Sequence, residues 1–481
     1  MKRGSVTVYL SLVFVVILSL LITLINGARS QGIRLKTELA MDLTLQSVFA
    51  EYNRELLDQY DLFFIDTSYG EGQGSMENLE GHLEIYMEEN FTEDSDIMRV
   101  FSRDLFQLET EQMEILDYSL ASDEAGEIIR RQAISYMKDV YGVAYLEELN
   151  EHLTCVEDNS MLTRNIESEQ SSNQQAIDSI EIPPKKVGEE KWEEVKLDNP
   201  ADAVNTERSK GVLMLVTDAD SNISETAVNL NNYISHREKN SGSGLGEREG
   251  SKMAEELIFN EYILRKCGNY CSPLEKGVLT YQAEYVLAGE DNDLENLKAM
   301  VNRLLLLREV SNAAYLFQDQ AKVAEAEALA LSLTAVIMVP ELAELVKISI
   351  LFAWSFAESV WDVTQLLKGG RIPLLKTSES WHYSLEGMLD YKSDLKSEQK
   401  KTGNSWKDGL CYEDYLRIFL ATMDRDKKMG RVMDIIEMDI QKTAGNGGFR
   451  LDCCVDYICA QAFVKSRYGQ SVNITRSFRY M

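Results

Sequence analysis

Proline is scarce in this sequence, with six in 481 residues. So few breaks argue against a loop-rich architecture and leave long stretches open to helical periodicity. Histidine is scarcer still. The four present (His82, His152, His236 and His382) form no H-E-x-x-H or other paired motif, which points away from histidine-based metal chemistry. Positive charge is also in deficit: 49 Lys and Arg against 79 Asp and Glu give a formal −30. Phosphate backbones need a basic stripe, and none is visible, so nucleic acid is not an expected partner. Signatures of hydrolases, P-loop proteins and kinases are missing as well. The glycines of GSGLGEREG (residues 242–250) follow no predicted strand and open no apolar helix, so they do not form a dinucleotide loop.

Seven cysteines are present, an odd number that leaves at least one thiol unpaired within the chain. Cys267 and Cys271 are close enough in sequence for a disulfide; Cys155 and Cys411 read as buried thiols, and Cys453, Cys454 and Cys459 form a cluster. Their spacing does not match a zinc site. DADSNISE (218–225) and DNDLEN (291–296) imitate the start of a calcium loop. Both lack the sixth-position glycine and the twelfth-position glutamate, so capping and turns are the expected roles. No catalytic residue, cofactor site or metal site is expected.

The chain opens with MKRGSVTVYLSLVFVVILSLLITLINGARSQ. Residues 5–28 carry no charge, and residues 6–25 are apolar apart from Thr7, Ser11, Ser19 and Thr23. About 20 such residues, rising 1.5 Å each, match the roughly 30 Å hydrocarbon core of a bilayer. A secretion-signal core runs to only about 7–15 residues, and Asn26-Gly27-Ala28 before Arg29 is a poor cleavage site. The segment therefore predicts a retained single-pass anchor touching membrane lipid through residues 6–25. Lys2 and Arg3 place the N-terminus in the cytoplasm and the acidic bulk outside the cell. Leu45, Val48, Phe49, Tyr52 and Leu56 then recur at helical spacing, and no proline interrupts residues 1–66. The expectation is a transmembrane helix running into an amphipathic stalk.

The fold class expected is predominantly α with a minor antiparallel β component (α+β). Six regions are expected: an anchor (1–30), a stalk helix and turn (31–74), an acidic helical region (75–156), a polar mobile linker (157–208), a short strand and flexible loop (209–251), and a main helical domain with a C-terminal β segment (252–481). Leu105, Leu108, Met113, Leu116 and Leu120 are the candidate core of the third. GVLMLV (211–216) reads as a short buried strand. Residues 328–357 are the most apolar region after the anchor. Glu341, Glu344 and Lys347 divide them into runs too short to span a bilayer, so they read as buried helices cornered at Pro340. Near the end, Leu451, Cys453, Val455, Tyr457, Cys459 and Phe463 alternate with Asp452, Cys454 and Asp456. The first set predicts the buried face of a strand, with NITRSFRYM as its partner. IPLLKTSESWH supplies a candidate partner-binding groove at Lys376, Thr377 and Trp381, or a packed and capped turn.

KRGSVTVYL (residues 2–10) resembles the start of tight-adherence (Tad) minor pseudopilins, the TadE and TadG class: basic residues, a glycine, then an apolar helix. In that class a peptidase cuts after the glycine, which implies a processing junction at Gly4 and Ser5. The class usually carries glutamate five residues further on, where this chain has Tyr9. Three longer stretches, SVFAEYNRELLDQYDLFFID, YQAEYVLAGEDNDLENLKAMVNRLLLLREVSNAAYLFQD and AESVWDVTQLLKGGRIPLLKT, resemble an uncharacterised clostridial membrane-protein family associated with tight-adherence pilus loci. The resemblance implies a non-enzymatic membrane-anchored surface protein, an accessory or pseudopilin-like component of a Tad-type pilus or secretion assembly, with other assembly proteins as partners. The alternatives are a membrane-tethered cell-envelope hydrolase and a receptor-like extracellular binding module.

Overall fold

The structure, a computed structural model, describes residues 3–70, 73–91, 106–140, 144–182, 185–187, 191–193, 211–217, 222–244, 253–274, 276–335, 337, 339–389 and 405–480, with single positions 197, 199, 202, 206 and 208. The chain is mostly helical with a small antiparallel sheet. Its first half runs α1 (Arg3–Phe49), α2 (Arg54–Tyr60), β1 (Ile65–Asp66), α3 (Met76–Phe91), β2 (Leu108–Leu120), α4 (Glu127–Val140), α5 (Ala144–Asp158), α6 (Ile166–Asp178), β3 (Lys185–Val187), β4 (Lys191–Glu193) and α7 (Val212–Val216). The second half runs α8 (Met253–Lys266), α9 (Gln282–Ala288), α10 (Asp293–Gln318), α11 (Gln320–Thr334), α12 (Pro340–Leu367), α13 (Leu385–Leu389), α14 (Tyr412–Ala421), α15 (Arg425–Gln441), β5 (Cys454–Ser466) and β6 (Ser471–Arg479).

These elements form two compact units. Unit 1 comprises Met1–Tyr136, Asn231–Gly250 and Met433–Met481; unit 2 comprises Met137–Leu230 and Ser251–Val432. The C-terminal segment therefore belongs with the N-terminal one and not with the expected domain 252–481. Strand pairing is the reason: β5 lies at the centre of the sheet, antiparallel to β2 on one side and to β1 and β6 on the other.

In unit 1, α1 runs 47 residues without a break. Beyond its apolar start it is no free stalk, because Ile33, Met41, Leu45 and Val48 are buried. They share a core with Leu79, Leu83 and Met87 of α3 and with Ile458, Ala460, Ala462 and Val464 of β5. The four-residue spacing in α3 puts its apolar side chains on one stripe. After α1 the helix restarts at α2, where the Asn53 side chain caps the Leu56 N–H.

Residues 108–120, expected to be helical, form β2, a 13-residue strand. Leu108, Met113 and Leu120 are buried in it, Leu116 is exposed, and Leu105 lies outside the described residues. At the C-terminus a strand and its partner do form, but the expected buried face is inverted beyond Val455. Residues 451–453 are a 3₁₀ turn, Ile458, Ala460, Ala462 and Val464 point inward, and Tyr457, Cys459 and Phe463 are only half-buried. The register slips opposite Ser119 and Leu120, and such a bulge shifts the inward phase by one residue.

Unit 2 is built on α10, α11 and α12. Pro340 sits at the start of α12, where its missing N–H leaves no bond unmade. Residues 328–357 end α11 and fill most of α12, whose later turns are buried. GVLMLV forms α7, a short helix burying Leu213 and Val216, in place of the expected strand. The expected linker contains α6, capped by Asn165 and tied down by Asn173 Nδ2 donating to the Leu345 carbonyl at 3.0 Å. Gly289 ends α9 at φ +77°; a Cβ there would lie 2.2 Å from Arg431, whose guanidinium caps the carbonyls of Val286, Leu287 and Ala288.

Candidate functional site

Among the described residues, α1 is the one helix long and apolar enough to cross a membrane. Its residues 6–25 are all exposed, and the Ser11, Ser19 and Thr23 hydroxyls are satisfied within the helix. Ser11 donates to the Val8 carbonyl, Ser19 to Val16 and Thr23 to Ser19, at 2.8–2.9 Å. Hydroxyls bonded this way expose no unmet donor to hydrocarbon. Gly4 and Ser5 lie in the first turn of α1, directly ahead of this run. Tyr9 is 69% exposed on the helix surface.

Lys376, Thr377 and Trp381 do not form an exposed groove. Lys376 and Trp381 are buried in unit 2, and only Thr377 reaches the surface. The Lys376 ammonium lies 2.6 Å from Glu358 and 2.7 Å from Asp362, both on α12. Asp362 also faces Arg308 of α10 at 2.8 Å. Glu358 accepts the backbone N–H groups of His382 and Tyr383 at 2.9 Å. Thr377 and Ser380 close the intervening turn on one another, and the Trp381 and Trp354 indoles both donate to the Tyr383 carbonyl. Two cations thus meet two carboxylates away from water, so each charge has a partner. Burial opposes the charges of both Asp362 and Arg308, yet Arg308 and Lys376 hold Asp362 below the usual carboxylate range. Asp362 and Tyr415 hold Arg308 above the usual arginine range. The turn is pinned packing, and Thr377 caps no helix: residues 378–380 form a turn and the next helix, α13, begins at Leu385.

Sequence reading missed the acidic half of this cluster, since Glu358 and Asp362 carry no motif. Their one signal is four-residue spacing in the part of α12 after Lys347, which is otherwise uncharged. It also missed Glu51, just past α1, which accepts from Tyr86 at 2.7 Å, Tyr69 at 3.1 Å and His82 Nδ1 at 3.0 Å. These bonds tie the end of α1 to α3; the hydrogen bond to Glu51 chiefly pushes Tyr86 up to about 12.

Of the two calcium-like stretches, DNDLEN supplies a helix cap, whereas in the described part of the other Ser224 donates to Asp293 and caps nothing. Asn292 caps α10, and Asp293 accepts the Thr280 and Tyr281 N–H groups at 3.0 and 3.2 Å; residues 218–221 lie outside the described residues. All seven cysteines, Cys267 and Cys271 included, are free thiols. Among the described residues, no three His, Cys, Asp or Glu side chains converge as a metal site.

A single apolar N-terminal helix whose second half is built into an α+β unit, with a separate helical unit inserted in the chain, defines the class of protein. Residues 190–466 match a family of unknown function (DUF5702), and the chain belongs to that family. Comparison with curated proteins gives no match, and comparison with solved structures gives none.

Proposed function

We propose that this protein is a non-enzymatic, single-pass membrane protein with its N-terminus in the cytoplasm, acting as an accessory, pseudopilin-like component of a tight-adherence-type pilus or secretion assembly. The observation that supports the reading is the division of α1. Its first half is exposed and apolar, and its second half is continuous with the first and buried in the unit 1 core. A membrane helix that runs on into a folded outer half is how a pilin is built, and Lys2-Arg3-Gly4 stands where a prepilin junction would be. An accessory role suits Tyr9 better than a major-subunit role. A tyrosine carries no carboxylate, so it cannot form an ion pair with a neighbour's terminal amine as a glutamate would.

Deletion of the gene is expected to lower the number of surface pili, and affinity capture of the detergent-extracted protein should recover pilus-assembly components. Unchanged piliation with no co-purifying assembly protein would sink the proposal. Purified pili containing this chain as their major subunit would overturn the accessory role.

A further inference from the structure

Unit 2 contains a cleft of about 670 Å³, within the roughly 300–1,000 Å³ typical of small-molecule sites. Asn222, Ser224, Tyr270, Thr280, Tyr281 and Lys368 contribute to its walls. A row of hydroxyls is fixed along one side. Ser224 Oγ lies 2.6 Å from Asp293 Oδ2 and 3.1 Å from Thr280 Oγ1, while the Ser224 N–H donates to the Tyr281 hydroxyl at 3.0 Å. Asp293 itself is fully buried and holds the backbone of Thr280 and Tyr281, so the row is pre-set. The Tyr270 and Tyr281 rings sit with centroids 5.6 Å apart, tilted at 59°. The Tyr270 N–H is anchored on the wholly buried Glu284 at 2.8 Å.

The chemistry of these walls selects among ligands. An anion would meet one cation, Lys368, at the carbonyl-rich end of α12, where the helix dipole is negative. A cation would meet that same lysine, and the Cys271 thiol beside it stays neutral, pushed up to about 12 chiefly by burial. A purely apolar ligand would cover the Tyr281 O–H and the Asn222 amide without satisfying them. The remaining class is neutral, rich in hydroxyls and flat on one side, so that it can lie against an aromatic ring while its edge hydrogen-bonds.

We propose that this cleft binds a neutral carbohydrate, with one sugar ring against Tyr270 and its hydroxyls on Thr280, Tyr281 and Asn222. The site is independent of the anchoring role proposed above.

The test uses the full chain in lipid nanodiscs, which avoids glycoside detergents, with cellobiose, di-N-acetylchitobiose and maltose as probes and inorganic phosphate as competitor. Saturation-transfer NMR and calorimetry should detect at least one disaccharide below about 10 mM, unaffected by phosphate. Tyr270→Ala should weaken that binding about tenfold or more, and Tyr270→Phe should retain it. Thr280→Val should weaken it in a protein that still melts cooperatively. The proposal is overturned if no disaccharide binds at about 10 mM, if phosphate displaces the sugar, or if folded Tyr270→Ala and Thr280→Val proteins bind as the parent does.

Discussion

Glu284 illustrates what enclosing one carboxylate does. It is buried on every side, accepts from Tyr412 and the Tyr270 N–H through Oε1, and has an Oε2 without a hydrogen-bond partner among the described residues. Burial pushes its pKa from 4.5 up to about 7. Between those values the folded chain holds a proton that the unfolded chain releases, so this stabilisation is complete below about 4.5 and lost as pH rises through about 7. Glu309, raised to about 6 in the same unit, has the same sign. The unfolding free energy is expected to fall from pH 5 to pH 8, and Glu284→Gln should flatten that fall by about 3 kcal/mol in chemical denaturation. Identical slopes for parent and variant would rule this account out. Asp456 gives a second test at this scale. Simple alternation placed it on the wet face, but it is buried, bonded to Gln132 at 3.1 Å and 3.4 Å from Arg479. Asp456→Lys would bury an unpaired cation beside another and should destabilise unit 1 by about 3–5 kcal/mol. Tyr457→Asp, on the half-buried face, should be the milder change in chemical denaturation.

Among the elements, α1 was legible because its signal is local: no proline, no charge over residues 5–28, then apolar residues at helical spacing. α12 was legible for a related reason, since Glu341, Glu344 and Lys347 interrupt a run that would otherwise resemble a membrane span. β2 was illegible because its order comes from elsewhere. It pairs with β5, more than 300 residues away in sequence, and three register irregularities erase the period of two that would have marked a strand. The Lys376 turn failed as a surface groove for the same reason, because its two carboxylate partners belong to α12. The faces of α1 can be tested directly. Val48 is fully buried and Leu39 is 56% exposed. Val48→Asp should destabilise unit 1 by several kcal/mol, whereas Leu39→Asp should change it by less than about 1 kcal/mol. Comparable losses in the two melts would mean that the helix packs through another face.

At the scale of the whole molecule, the net charge of −30 and the uncharged residues 5–28 call for different surroundings. Aspartates and glutamates keep the bulk of the chain in water, while residues 6–25 are exposed apolar side chains along one helix. Because the unit 1 core begins at Ile33, the anchor can be removed without cutting into that core. A chain beginning at Ala28 should leave the membrane fraction without detergent and keep the melting transitions of the parent. A chain beginning at Ala50 loses Ile33, Met41, Leu45 and Val48 from the core, and should aggregate or melt early. Membrane retention of the Ala28 chain would show that a segment other than residues 6–25 holds the protein there. The full-length chain then tests direction: protease added to intact cells should digest its acidic bulk, because Lys2 and Arg3 favour the cytoplasmic side. Protection until the membrane is opened would reverse the proposed topology, and with it the proposal of a surface-exposed assembly component.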